Sequence, residues 1–383
     1  MRPVLLTLCL LGCGSVVPSV EDAGSGGGAA NGGGTSSTGG GTSSTGGGTS
    51  GTGGGVSGTG GGVSGTGGGT SGSGGGTSGS GGGTSGSGGG VSGTGGGVSG
   101  TGGGSAVFPP PTPEGCVQDV TAGMRDYTCD GLRYRATIPA ACLTAACGLI
   151  LDVHGLTMSA EMQEANTKLA ARAPAKGFIV VQPSANPAPP SASWNPATDD
   201  DKVFATAQLF ARVFHTDPKR LHFTGFSQGG MMTWRMLCKH ADAWASVAPA
   251  AGGACYFDAT SGRPSREVPT LFLFGTSDAL VSYSGVAVPQ RNAVVSGWAM
   301  SGPVTIAADA GYTRVRYTSD AGTPFEMLTH QYSGAIVLGG HCYPGSTDPG
   351  TATGQLFTFK CNGMNGFDWG NEVLDWFDRH RKP

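Results

Sequence analysis

The segment Gly225-Phe226-Ser227-Gln228-Gly229 sets a serine between two glycines, after the apolar run Leu221 to Thr224 and before a stretch of helical spacing, Gly229 to Lys239. A serine hydroxyl is a poor nucleophile at neutral pH. It becomes a good one when a tight turn lifts it clear of the backbone, a base takes its proton and a carboxylate orients that base. The turn must be tight enough to bring strand and helix together, which leaves no room for a side chain two residues either side of the serine; Gly225 and Gly229 meet that demand. An ordinary glycine-rich turn is the bland alternative. The strand before and the helix after favour catalysis, with Ser227 as the nucleophile.

Sites built on this turn carry their partners later in the chain, in the order serine, acid, histidine. Asp278 follows the apolar run Thr270 to Phe274 by a few residues, in Gly275-Thr276-Ser277-Asp278, and so falls just past the end of a buried strand; Asp258, Asp309, Asp320 and Asp348 lack that placement. Two histidines follow Asp278 before the final tail. His330 sits inside an alternating strand pattern, whereas His341 lies in Gly339-Gly340-His341-Cys342-Tyr343-Pro344-Gly345, a loop whose flexible neighbours can aim a side chain at Ser227. His341 is the expected base and Asp278 the expected acid. A developing oxyanion needs two backbone donors, one from the residue after the nucleophile and one from a loop after an early strand. Gln228 supplies the first. His154-Gly155-Leu156 ends the apolar run Leu149 to Val153, so the N–H of Leu156, or of Thr157, is the second, and His154 shapes that loop. Asp152 and His154 are only two ligands, which do not make a metal site, and the chemistry calls for no cofactor.

These residues need a frame, and from Cys116 onward strand and helix signals alternate. Strands are expected at Leu132 to Ile138, Leu149 to Val153, Phe178 to Gln182, Leu221 to Thr224, Trp244 to Ala248, Thr270 to Phe274, Arg314 to Thr318 and Phe325 to Gln331. Helices are expected at Glu161 to Ala173, at Asp200 to Phe214 with an apolar stripe through Val203, Phe204, Ala207, Phe210, Ala211 and Phe214, at Gly229 to Lys239, and at Asn371 to Arg379. That order predicts an α/β fold with a mostly parallel sheet covered on both faces and catalytic groups in loops at the carboxyl ends of the strands.

The chain has 383 residues and 74 glycines, most of them before residue 105, so the composition describes two polymers. Residues 32 to 104 repeat a seven-residue unit, G-G-G-[T/V]-S-[S/G]-[T/S]. It has no apolar pair at coiled-coil spacing and glycine is a poor helix former, which makes the stretch a flexible tether. Some 80 residues of this kind reach about 50 Å. The boundaries expected are 1–12 as a signal peptide, 13–115 as the tether and 116–383 as one catalytic domain. Arg2, the short apolar run Val4 to Leu11 and then Gly12-Cys13 read as an export signal, since the run is far below the roughly 20 residues a bilayer requires. The ending Leu10-Leu11-Gly12-Cys13 resembles a bacterial lipobox. That implies a lipid on Cys13, a membrane anchor, and an outer-membrane, cell-surface or extracellular location. Eight cysteines remain, an even number that suits disulfides in an exported chain. They admit on the order of a hundred connectivities; nearness in sequence favours Cys116 with Cys129, Cys142 with Cys147, Cys238 with Cys255, and Cys342 with Cys361. The net charge of -3 with 22 Lys and Arg offers no basic face for nucleic acid, and a monomer is expected.

Taken together the segments resemble the polyhydroxybutyrate depolymerase and feruloyl esterase group of α/β hydrolases. The likeness runs through His154-Gly155, Trp194, Asp199-Asp200-Asp201, Gly225-Phe226-Ser227-Gln228-Gly229-Gly230-Met231-Met232, Cys238 with His240, Val247-Ala248-Pro249, Phe274-Gly275-Thr276-Ser277-Asp278 and Gly340-His341-Cys342-Tyr343-Pro344-Gly345. The resemblance implies an α/β-hydrolase fold, a triad of Ser227, Asp278 and His341, and hydrolysis of a hydroxyalkanoate oligomer or a polysaccharide-linked ester. Trp194 and Tyr283 are candidates for aromatic walls of a substrate cleft, with core packing the alternative; the resemblance favours the wall for Trp194. Cys342 and Tyr343 stand where the group has Thr and Trp, which leaves the pocket shape open. An acetylxylan-type esterase, a peptidase of the same fold and a surface-binding protein on a retired hydrolase scaffold are the alternatives.

Overall fold

A computed structural model describes residues 108–347 and 358–383. The export signal, Cys13 and nearly all of the tether lie outside the described residues. Ten strands form one sheet in the order β1-β2-β4-β3-β5-β6-β7-β10-β9-β8. They are β1 (Gly123–Cys129), β2 (Leu132–Ile138), β3 (Gly148–Val153), β4 (Phe178–Ser184), β5 (Leu221–Phe226), β6 (Ser246–Ala250), β7 (Thr270–Gly275), β8 (Ser301–Ala308), β9 (Tyr312–Thr318) and β10 (Pro324–His330). Six neighbours in the middle, β4-β3-β5-β6-β7-β10, run parallel, while β1 and β2 on one side and β9 and β8 on the other are antiparallel. This is the α/β-hydrolase fold expected from the sequence.

The strands alternate sides as a period of two requires. In β3, Leu149, Leu151 and Val153 join the core on one face, where they meet Val203, Ala207 and Phe210 of α3 (Asp199–Val213) and Trp234, Met236 and Leu237 of α4 (Gln228–His240). Ile150 points the other way, into a core shared with Met162 of α1 (Ala160–Thr167), Leu169 of α2 (Leu169–Arg172) and Trp369, Val373, Trp376 and Phe377 of α6 (Trp369–Arg379). Helix α5 (Val288–Gly297) adds Val294 to the first core. Because both faces are covered, the central strands are buried throughout and read as continuous apolar runs.

One expected helix, Glu161 to Ala173, is broken. Lys168 turns left-handed (φ 53°) between α1 and α2, and a 3-10 turn, Ala173–Lys176, follows. Two features account for the break. The Glu164 carboxylate accepts from the N–H groups of Ala170 and Ala171 at 2.8 and 3.0 Å, capping a new helix start. Gly370 of α6 packs against the carbonyl of Thr167, where a β-carbon would collide. Strand β6 also starts two residues later than expected. The four disulfides pair Cys116–Cys129, Cys142–Cys147, Cys238–Cys255 and Cys342–Cys361.

Candidate active site

β5 ends at Phe226 and α4 starts at Gln228, so the direction change falls on Ser227 alone, with φ 57° and ψ −117°. A non-glycine residue held at positive φ costs on the order of 1–3 kcal/mol and persists where its surroundings fix it. Here the Ser227 N–H donates to Ala250 O at 2.9 Å and the Ser227 carbonyl accepts from Met231 N–H at 2.8 Å. The glycines give the closeness: a β-carbon on Gly225 would strike the backbone of Gly229, and one on Gly229 would strike the carbonyls of Val153 and His154. Ser227 itself is half-buried and open to solvent.

The loop after β3 lies against this turn. A β-carbon on Gly155 would stand 3.0 Å from that of Ser227. His154 is fully buried and uses both ring nitrogens: Nε2 accepts from Ala185 N–H at 2.9 Å, so Nδ1 carries the hydrogen and donates to Gly155 O at 2.7 Å. Burial pushes its pKa down to about 4, and a neutral ring of fixed tautomer shapes the loop. Of the two candidate donors, the Thr157 N–H is engaged by Ala192 O at 2.8 Å, whereas the Leu156 N–H has no backbone acceptor among the described residues. The Gln228 N–H stands in the first turn of α4, where amides lack intrahelical acceptors and the helix dipole is positive.

Trp194 is not a wall of an open cleft. It is 4% exposed, its Nε1–H donates to His154 O at 2.8 Å, and its backbone N–H donates to Gln228 Oε1 at 3.1 Å. These bonds tie the loop after β3 to the start of α4, the two elements that carry the candidate oxyanion donors.

β7 and β10 are parallel neighbours, and the loops leaving them meet. Gly340 N–H donates to Ser277 O at 2.9 Å, Ala279 N–H donates to Leu338 O at 3.1 Å, and Asp278 bridges Gly339. Asp278 Oδ1 accepts from the N–H groups of Leu280 and Val281 at 2.9 and 2.7 Å, and Oδ2 lies 2.7 Å from His341 Nδ1. Both side chains are buried. A carboxylate in that place takes the hydrogen on Nδ1 and leaves Nε2 as an acceptor. Phe226, the chain neighbour of Ser227, packs against the imidazole with ring centres 4.7 Å apart and the planes tilted by 54°. Tyr283 is half-buried beside Asp278, in a depression of about 390 Å³ lined also by Thr276, Leu280, Ser282 and Ser284.

Some of this arrangement was not foreseen. Tyr343 is fully buried, so the substitution of Tyr for Trp lies beneath the site and not in a pocket; its ring stacks on Phe226 at 4.0 Å and its hydroxyl donates to Gln163 Oε1 at 2.5 Å. Gln163 Nε2 donates to Asp152 Oδ1 at 2.5 Å, and Asp152 Oδ2 accepts from Thr167 and Gln182 at 2.8 and 2.9 Å. Burial raises the Asp152 carboxyl to about 6. The signal was present in Leu149-Ile-Leu-Asp-Val153, since a carboxylate in a fully buried strand must find donors. His330, Cys342 and Cys361 bring nitrogen and sulfur atoms within 4.8 Å of one another, but the two sulfurs are bonded to each other and offer no thiolate to a metal.

No protein-family model matches the chain. It is 28% identical over 266 residues to the "Putative esterase NocK" of Nocardia uniformis subsp. tsuyamanensis, covering 61% of this chain and 77% of that protein. It is 28% identical over 138 residues to the bifunctional acetylxylan esterase/xylanase XynS20E of Neocallimastix patriciarum, and 32% identical over 155 residues to feruloyl esterase B of Piromyces equi. Those stretches cover 36% and 37% of this chain but only 20% and 28% of the relatives. Among solved structures, an acetyl xylan esterase from Aspergillus awamori aligns with a TM-score of 0.43 and 14% identity, over 55% of this chain and 92% of that one.

Proposed function

We propose that the chain is a serine carboxylic ester hydrolase of the polyhydroxybutyrate depolymerase and feruloyl esterase type, acting through an acyl-enzyme. The observation that carries the reading is the Asp278–His341 pair: an imidazole held at 2.7 Å by a carboxylate whose other oxygen accepts two backbone N–H groups, packed on Phe226, the residue before a serine at positive φ. Ser227 Oγ attacks the ester carbonyl carbon as its proton passes to His341 Nε2. Asp278 keeps the Nδ1 hydrogen and stabilises the imidazolium, and the N–H groups of Gln228 and Leu156 receive the oxyanion. His341 then protonates the departing alkoxide as the C–O bond breaks. Water attacks the acyl-enzyme, gives its proton to His341, and releases the carboxylic acid with Ser227 restored.

All three relatives carry the word esterase in their names, and two name an ester class, acetylxylan in one and feruloyl in the other. The hydroxyls of Thr276, Ser282, Tyr283 and Ser284 around the depression beside Asp278 suit a polar alcohol portion such as a sugar. Polysaccharide-linked feruloyl esters therefore lead, with acetylated xylan second on the name of one relative. Export, with a lipid on Cys13 and a tether to the membrane, fits the four disulfides, which persist in oxidising compartments.

Replacing Ser227 by Ala is expected to lower kcat for p-nitrophenyl acetate on the order of 10⁴-fold in protein of unchanged fold. A variant that hydrolyses it near the wild-type rate contradicts the reading. A panel of feruloyl-sugar, acetylxylan and hydroxybutyrate oligomers, compared by kcat/KM, assigns the ester.

A further inference from the structure

Four side chains under the candidate site form one buried chain of contacts. Asp152 sits on β3, two residues before His154, so it moves with the oxyanion loop. Gln163 projects from α1 and spends both ends of its amide: Nε2 on Asp152 at 2.5 Å, Oε1 on the Tyr343 hydroxyl at 2.5 Å. An ionised carboxylate only accepts and a phenol in this place donates, so one orientation of the amide satisfies both neighbours. Tyr343 then stacks on Phe226 at 4.0 Å, and Phe226 packs at a tilt against the His341 ring at 4.7 Å. The Tyr343 backbone is fixed as well, donating to Phe359 O at 2.7 Å and accepting from Cys361 N–H at 3.0 Å. Every residue in the chain is at most 1% exposed.

We infer that Gln163 and Tyr343 are positioning residues for His341: the amide locks the Tyr343 ring at a fixed distance from β3, and that ring, through Phe226, holds the imidazole between Asp278 and Ser227. The inference rests on His341 being the base. Neither residue touches a reacting atom; each acts through the stack. Removing the Tyr343 hydroxyl leaves Gln163 Oε1 buried without a donor, and the amide is then free to turn away from Asp152. The ring loses its anchor while its apolar contact with Phe226 remains.

The test uses Tyr343→Phe, Gln163→Met, the double variant, and Gln182→Met as control. Gln182 donates to the same carboxylate at 2.9 Å and to Glu164 at 3.1 Å, and the Tyr343 hydroxyl bonds Gln163 instead, so its loss reports the structural cost of depleting the Asp152 cluster. With p-nitrophenyl acetate, Tyr343→Phe and Gln163→Met are each expected to lower kcat on the order of tenfold with KM unchanged, as a base displaced by a fraction of an ångström would. The double variant should lose no more than either single one, because the links are in series. The proton shared by His341 Nδ1 and Asp278, read as a far-downfield NMR resonance, should broaden by solvent exchange in both variants and stay sharp in Gln182→Met. Should Gln163→Met fail to fold, Tyr343→Phe with the control is sufficient. The inference is overturned if folded Tyr343→Phe keeps both the wild-type kcat and the sharp resonance, if Gln182→Met lowers kcat equally, or if the double variant loses the product of the single effects. A wild-type protein that hydrolyses no ester while keeping the resonance instead refutes the base role of His341.

Discussion

Ser227 and the histidines around it show how burial sorts residues of one type into different duties. His341 meets a carboxylate and keeps a nitrogen free. His154 spends both nitrogens on backbone groups, and His330, in β10, is buried with Nδ1 unpartnered. Burial lowers both His154 and His330 to about 4, and it lowers His222 well below its ordinary value. These three stay neutral in the folded protein as the pH falls through 6.5, while their counterparts in the unfolded chain take up protons. Stability from them is therefore present above about pH 6.5 and lost as the pH falls below it, by about 2 kcal/mol each for His154 and His330 at pH 5. Asp152 acts the other way. Its carboxyl, raised to about 6, binds a proton in the folded state before the unfolded one does, so acidification returns part of the loss. Glu164, also raised by burial, acts with Asp152, while His240 and His380, also lowered, act with the other histidines, so urea unfolding followed by tryptophan fluorescence should give a lower stability at pH 5 than at pH 7. Equal stability at the two values would contradict the neutral buried histidines.

At the scale of elements, the loops at the carboxyl ends of β5, β7 and β10 carry the three candidate groups, and the Cys342–Cys361 disulfide pins the residue next to His341. Nineteen positions separate its cysteines, for which chain entropy gives about 3 kcal/mol of stabilisation. Replacing both by Ser should lower the unfolding free energy by about that much and reduce kcat, since the proposed base loses a brace; an unchanged kcat would mean that the contacts of Gly340 and Ala279 hold the loop by themselves. The strands that place these loops were legible because each is buried on both faces and reads as an apolar run between turn signals. β1 and β8 were not: Gly123–Cys129 carries charges and is mostly exposed, and Ser301–Ala308 is solvent-facing along nearly its whole length. Alternation needs one buried face: β8 has none, and β1 has one only at its end, through Tyr127 and Cys129. The break at Lys168 was hidden too, because a distant glycine of α6 and the Glu164 cap decide it. Trp194 and Tyr343 show the same limit at single positions: an aromatic residue near a motif reads as a wall or as core equally well until its partners are known.

Across the described residues, ten strands and two apolar cores hold Ser227 at the centre of the sheet's carboxyl edge, with the loop of β3 that carries the proposed oxyanion donor on one side and the loops of β7 and β10 that carry the proposed acid and base on the other. Each of these loops is tied to its neighbour by hydrogen bonds, so the site is preorganised by the fold before a substrate arrives. Such a serine should react with an acylating or phosphonylating reagent far faster than any other hydroxyl of the chain. The most direct test is to treat the intact protein with a fluorophosphonate and identify the modified peptide by mass spectrometry. One adduct per chain, on Ser227, abolished in His341→Ala, is the expected result; an unmodified chain, or an adduct on another serine, would contradict the account.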